Sequence, residues 1–194
     1  HIDVRRFGAT YAYTVDGSGF AELESETFCA DTAFVTVSGA DTHPGYAKGK
    51  MINAVRVLSD VIMALPQHRT PETTERREGY LHPINVSGNV SETKAQFLVR
   101  DFAEDGLHEL EATLTSAAAW AERKYPGARV QVEIKESYRN MRYVLDQHPL
   151  VTQYAEEAIR RAGLTPKPSS IRGGPGGAGL HARGGHPPDR VGGG

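Results

Sequence analysis

The stretch Lys94-Ala95-Gln96-Phe97-Leu98-Val99-Arg100-Asp101-Phe102 sets Ala95, Phe97 and Val99 on one side and Gln96 and Arg100 on the other. That period of two predicts a half-buried strand. Just before it, roughly Leu81–Val90 reads as another strand. Just after it, Leu107, Leu110, Leu114, Ala117, Ala118 and Ala121 recur at helical spacing, so a helix is expected from about Asp105 to Tyr125, stopped by Pro126-Gly127. Val130, Val132 and Ile134 then alternate through a strand over Arg129 to Lys135. Upstream, Ala33 to Ser38 alternates Val35 and Val37 against Thr36 and Ser38. A helix follows, carried by Met51, Ile52, Val55, Leu58, Ile62 and Leu65 and ended by Pro66. The order from 33 to 135 is β-α-β-β-α-β, the ferredoxin-like split unit.

The flanks belong to a different layer. Residues 8–16 and 20–28 read as two strands around the turn Asp16-Gly17-Ser18-Gly19. A late helix has Pro149 in its first turn and Gly163 at its C-cap, and Ser169-Ser170-Ile171 reads as a strand. The expected fold class is α/β, with the small domain inserted into a larger α/β domain. The expected boundaries are a 1–30 segment of the larger domain, the inserted domain at 31–138, a second segment at 139–174 and a tail at 175–194. That tail, rich in Gly, Pro, His and Arg, reads as degraded or flexible, and with no initiator methionine the chain reads as a fragment.

Composition narrows the function. A formal charge of −2 and a pI near 6.5 give no global attraction to nucleic acid or an anionic membrane. No apolar run approaches the roughly 20 residues that span a bilayer. The single cysteine, Cys29, excludes an internal disulfide, and cytoplasm is the expected location. An RNA-binding reading of the same topology needs aromatics on the central strands and a basic sheet face; Phe34, Phe97 and Phe102 with a net negative charge support it poorly.

A few residues suit chemistry. Asp16 ends an expected strand before a glycine, where a carboxylate can meet a cation, or is a turn aspartate closing an Asx-type bond. His43, ahead of a Pro-Gly turn and a helix, suits donation to a carboxylate or oxyanion, or is a surface turn residue. Arg100 offers a fork for a carboxylate, or pairs as a strand-face cation with Asp101 or Glu104. In Arg172-Gly173-Gly174 a glycine turn follows a strand, and its backbone N–H groups suit an anionic or carbonyl oxygen.

Five motifs, in order and over nearly the whole chain, carry a resemblance. They are Tyr13-Thr14-Val15-Asp16-Gly17, His43-Pro44-Gly45-x-Ala47-Lys48-Gly49, Val99-Arg100-Asp101-Phe102, Glu136-Ser137-Tyr138-x-Asn140-Met141-Arg142 and Ile171-Arg172-Gly173-Gly174. Together they resemble the tripeptide aminopeptidases of the dizinc metallopeptidase family, which also holds aminoacylases and glutamate carboxypeptidases. The resemblance implies a zinc-binding α/β catalytic domain interrupted by a ferredoxin-like lid that serves in homodimerisation. It implies a tripeptide substrate, two zinc ions, and Asp16 as a ligand to one of them. His43 and Arg100 then match lid residues that contact substrate, the arginine gripping its C-terminal carboxylate. In several relatives the lid histidine reaches a neighbouring active site across the dimer. Asn140 and the Arg172, Gly173, Gly174 turn match the hinge and a loop near the substrate.

The chain departs from that pattern. The paired glutamates, one of them the general base, and the other metal ligands are expected outside it. Where the family's glycine turn continues Thr-Asp-Gly-Ala, this chain reads Pro175-Gly176-Gly177-Ala178. One carboxylate cannot build two four-ligand sites, so the 194 residues alone are expected to lack aminopeptidase activity. The competing reading is a noncatalytic ferredoxin-like module for dimerisation or ligand binding, which has no use for the flanking motifs.

Overall fold

The computed structural model describes residue 6, residues 8–15 and residues 19–173. In chain order its elements are β1 (Glu22–Thr27), β2 (Cys29–Ser38), a 3-10 turn (Pro44–Tyr46), α1 (Ala54–Met63), β3 (Tyr80–Gly88), β4 (Glu92–Asp101), α2 (Glu104–Lys124), β5 (Arg129–Tyr138), α3 (Arg142–Leu145), α4 (Pro149–Arg161) and β6 (Lys167–Ile171). The chain divides into two units: Phe28–Tyr138, and a second drawn from both flanks, up to Thr27 and from Arg139 onward.

The first unit is a four-stranded antiparallel sheet in the order β3-β4-β2-β5, with both long helices packed on one face. This is the split β-α-β-β-α-β arrangement expected from the periodicity. Val35 and Val37 of β2 and Ala95, Phe97 and Val99 of β4 are buried on the helix side. They meet Val57, Leu58 and Val61 of α1 and Leu107, Leu110 and Leu114 of α2. Asn53 starts α1 by accepting the Val55 and Arg56 amides on Oδ1, at 3.0 and 3.4 Å. Glu104 and Asp105 at one end of α2, with Arg123 and Lys124 at the other, complement its dipole. Gly88, at φ +135, opens the β3–β4 hairpin, and Asn89 Oδ1 closes it on the Ser91 and Glu92 amides. Phe97 is fully buried in this core, which removes it from any base-stacking surface.

A polar staple joins the two helices at the surface. Asp60 of α1 accepts from Lys124 Nζ and from the Tyr125 hydroxyl, each at 2.7 Å. These bonds, Lys124's first, hold the Asp60 carboxyl below its ordinary range, and the bond to Asp60 raises both Lys124 and Tyr125. A depressed folded-state pKa stabilises above the unfolded value, near 4, and the contribution is lost as pH falls through the folded value. Asp60→Asn is therefore expected to lower the urea midpoint at pH 7, with the gap from wild type closing as pH drops below about 4. A gap independent of pH across that window would show that the carboxylate is not the stabilising species.

The flanks correct the sequence reading. Residues 8–15 form no strand, and no hairpin joins them to β1. Instead β1 pairs in parallel with β6, Glu22 opposite Lys167 and Thr27 opposite Ile171. The Tyr13 hydroxyl donates to the Val151 carbonyl of α4 at 2.6 Å, so this stretch is held by a side chain and not by a ladder. Beyond the expected elements, β2 and β5 run longer and the short α3 is new. Pro149 opens α4, and Gly163 at φ +78 closes it, its amide donating to Arg160. Among the described residues no helix is long and apolar enough to cross a membrane.

Candidate functional site

Arg100 lies near the C-terminal end of β4, on the sheet face turned away from the helices. Cross-strand pairing fixes its neighbours: Tyr80 on β3, Ala30 on β2 and, beyond Ala30, Tyr138 on β5. Opposed residues of antiparallel strands share a face, so these four form one row. Arg100 Nη1 donates to the carbonyls of Asp31 at 2.7 Å and Val99 at 2.8 Å. Its guanidinium carbon sits 5.8 Å from the centroid of the Tyr138 ring. Burial raises the Tyr138 phenol, with Arg100 opposing the rise. On the other side, Phe28 packs on Phe102 at 4.4 Å and edge-on to Tyr80 at 5.6 Å.

The alternative of a strand-face ion pair is not built. Asp101 Oδ1 caps the Ala103 amide at 3.0 Å, and among the described residues no carboxylate pairs with Arg100. The guanidinium is instead held by two backbone carbonyls.

His43 is exposed just past the end of β2. Its Nδ1 accepts the Gly45 amide at 3.1 Å, so the neutral ring carries its proton on Nε2. Tyr46 flanks the ring at 5.6 Å. Ser38 pairs with Glu92 while Ala30 pairs with Arg100. The ends of β2 nearest His43 and Arg100 are thus separated by about 26 Å at roughly 3.3 Å per residue.

Asn140 is 2% exposed, and its side chain is engaged internally. Oδ1 accepts the Thr27 and Arg142 amides at 3.1 and 3.0 Å, and Nδ2 donates to Glu26 at 3.3 Å. The Met141 amide adds a bond to Thr27 Oγ1 at 3.1 Å. Arg172 and Gly173 sit in the bend after β6. Asp16, Gly174 and the 175–194 tail lie outside the described residues. Among the described residues no group of three or more His, Cys, Asp or Glu side chains is placed to hold a metal ion. The row around Arg100 was not legible beforehand, because cross-strand register depends on how distant segments pair.

This sheet with its two helices is the architecture of a peptidase dimerisation domain. The model of the family described as "Peptidase dimerisation domain" matches residues 26–129, and the chain belongs to that family. It is 40% identical over 179 residues to Peptidase T of Geobacillus kaustophilus, covering 92% of this chain and 44% of that protein. Peptidase T of Bacillus subtilis is 37% identical with the same coverage. The chain thus spans under half the length of these relatives. Among solved structures, aminopeptidase PepT from Bacillus cereus aligns with a TM-score of 0.71 at 19% identity, over 89% of this chain and 46% of that one. A tripeptidase from Staphylococcus aureus aligns at 0.72 and 16%, over 91% and 47%. At those identities the likeness is one of fold.

Proposed function

We propose that this chain is part of a zinc-dependent tripeptide aminopeptidase, which releases the N-terminal residue of a tripeptide through metal-activated water. The observation that carries the reading is an anchored arginine with no carboxylate partner among the described residues, in a chain similar to Peptidase T over 92% of its length. That similarity runs well outside residues 26–129, which argues against a freestanding binding module. In this reading the two segments flanking residues 31–138 belong to the catalytic domain, and the inserted domain is the lid. Asp16 supplies one ligand to one of two zinc ions. The described residues do not themselves fit a dizinc centre.

Their geometry supports a role in substrate binding for two residues of the lid. Arg100 takes the substrate's C-terminal carboxylate on the guanidinium edge away from its two carbonyl anchors, as a charge-assisted pair. His43 donates from Nε2 to a substrate oxygen. A fully extended tripeptide spans roughly 10 Å, well short of the separation along β2. The two residues therefore serve one substrate only when they come from two copies of the chain, which supports a homodimer formed through this domain. The Arg172-Gly173-Gly174 turn contributes backbone donors near the substrate, and Asn140 holds the strand exits of the catalytic segment. Cytoplasm remains the compartment proposed.

The test uses the longer polypeptide containing these residues, loaded with zinc. It is expected to cleave trialanine and to discriminate against trialaninamide. Arg100→Ala is expected to raise KM for trialanine by about ten- to a hundredfold, matching the loss of a charged hydrogen bond, and to abolish that discrimination. Equal turnover of acid and amide by the wild type would refute the carboxylate role.

A further inference from the structure

We infer that Tyr138 is a positioning residue for Arg100, setting the guanidinium to receive a carboxylate; this rests on the carboxylate-binding reading of Arg100. The argument begins in the register. Arg100, Ala30 and Tyr138 lie side by side on β4, β2 and β5. Between the two long side chains stands a single methyl group, and Ala30 is fully buried. A larger residue there would hold the guanidinium and the ring apart; alanine lets them meet across the intervening strand, at 5.8 Å from carbon to ring centroid. This lies within the range in which a ring face attracts a guanidinium.

The remaining contacts leave the ring a definite task. Nη1 is tied to two backbone carbonyls, which anchors one corner of the fork and leaves Nε and Nη2 on its far edge. A carboxylate needs two parallel N–H groups in one plane, so the steadiness of that far edge decides whether the fork can be used bidentately. The Tyr138 face steadies it. Because no carboxylate among the described residues does so, the ring orders the cation without neutralising it. A phenol ordinarily titrates near 10 and burial raises this one further, so it adds no competing negative charge at neutral pH.

The experiment uses the 194-residue chain with arginine side chains labelled with 15N, trialanine as ligand and trialaninamide as control. Without peptide, the Arg100 Nη protons are expected as separate resonances in the wild type and in Tyr138→Phe, which keeps the ring. They are expected to merge in Tyr138→Leu and in Tyr138→Met, the second variant guarding against a disturbed strand. Trialanine affinity is expected to fall about two- to fivefold in the Leu and Met variants and to hold in Phe. The inference is overturned if the Leu and Met variants keep separate resonances and full affinity, or if Phe behaves as they do. Failure of the underlying reading has a different signature. Trialaninamide would then bind as well as trialanine, and Arg100→Lys would change nothing, while the peptide-free resonances would still report on Tyr138.

Discussion

Phe97→Ala is expected to cost the Phe28–Tyr138 unit about 3–5 kcal/mol, the range for emptying a large aromatic site in a packed core. Phe97 is completely buried near the centre of β4, opposite Ala33 on β2 and Pro83 on β3. Its two flanking neighbours on the sheet are small or ring-constrained. Neither can swing into the space, and the cavity is expected to persist. Domains of this size are stable by about 5–15 kcal/mol, so one such cavity removes a large share. Urea denaturation followed by far-UV circular dichroism measures it. Leu98→Ala, one residue along on the open face, serves as the control and is expected to cost much less. If both variants shift the midpoint equally, the helices do not cover the face assigned to them.

The second large effect lies in the other unit. Asn140→Ala removes the acceptor of the Thr27 and Arg142 amides and the donor to Glu26, all around a site that is almost wholly buried. Each buried group left without a partner costs about 1–3 kcal/mol, so a loss of roughly 2–4 kcal/mol in local opening is expected. Hydrogen exchange at the Thr27 amide reads it directly, with protection falling at least thirtyfold. Asn140→Asp separates the parts. It keeps the acceptor for both amides but replaces the donor with a second carboxylate beside Glu26, so Thr27 protection is expected to survive better than in the alanine variant. Unchanged Thr27 exchange in Asn140→Ala would mean that another group holds that amide.

These two cases differ in how far they could be read from the chain. Phe97 falls on the apolar side of a clean alternation with Ala95 and Val99, and burial followed from that pattern. Asn140 was singled out by motif, as a hinge residue near substrate. Its actual bonds, to Glu26 and Thr27, join segments on opposite sides of the whole inserted unit. The glycine after Asp16 resembled a hairpin turn, yet Glu22–Thr27 takes its partner from Lys167–Ile171. Asp60 offered no pattern at all, since its partners Lys124 and Tyr125 are reached only once α1 and α2 lie side by side.

The sequence by itself determined the β-α-β-β-α-β unit and the side of each of its central strands and helices that is buried. Periods of two and of three to four residues are local consequences of backbone geometry, and water reads them the same way in any context. Only the tertiary structure decided that β1 joins β6, that Ala30 stands between Arg100 and Tyr138, and that Arg100 pairs near one end of β2 while His43 follows the other. Those facts depend on register between segments far apart in the chain, which is chosen by the closure of the whole sheet and its packing, and no short window of residues contains it.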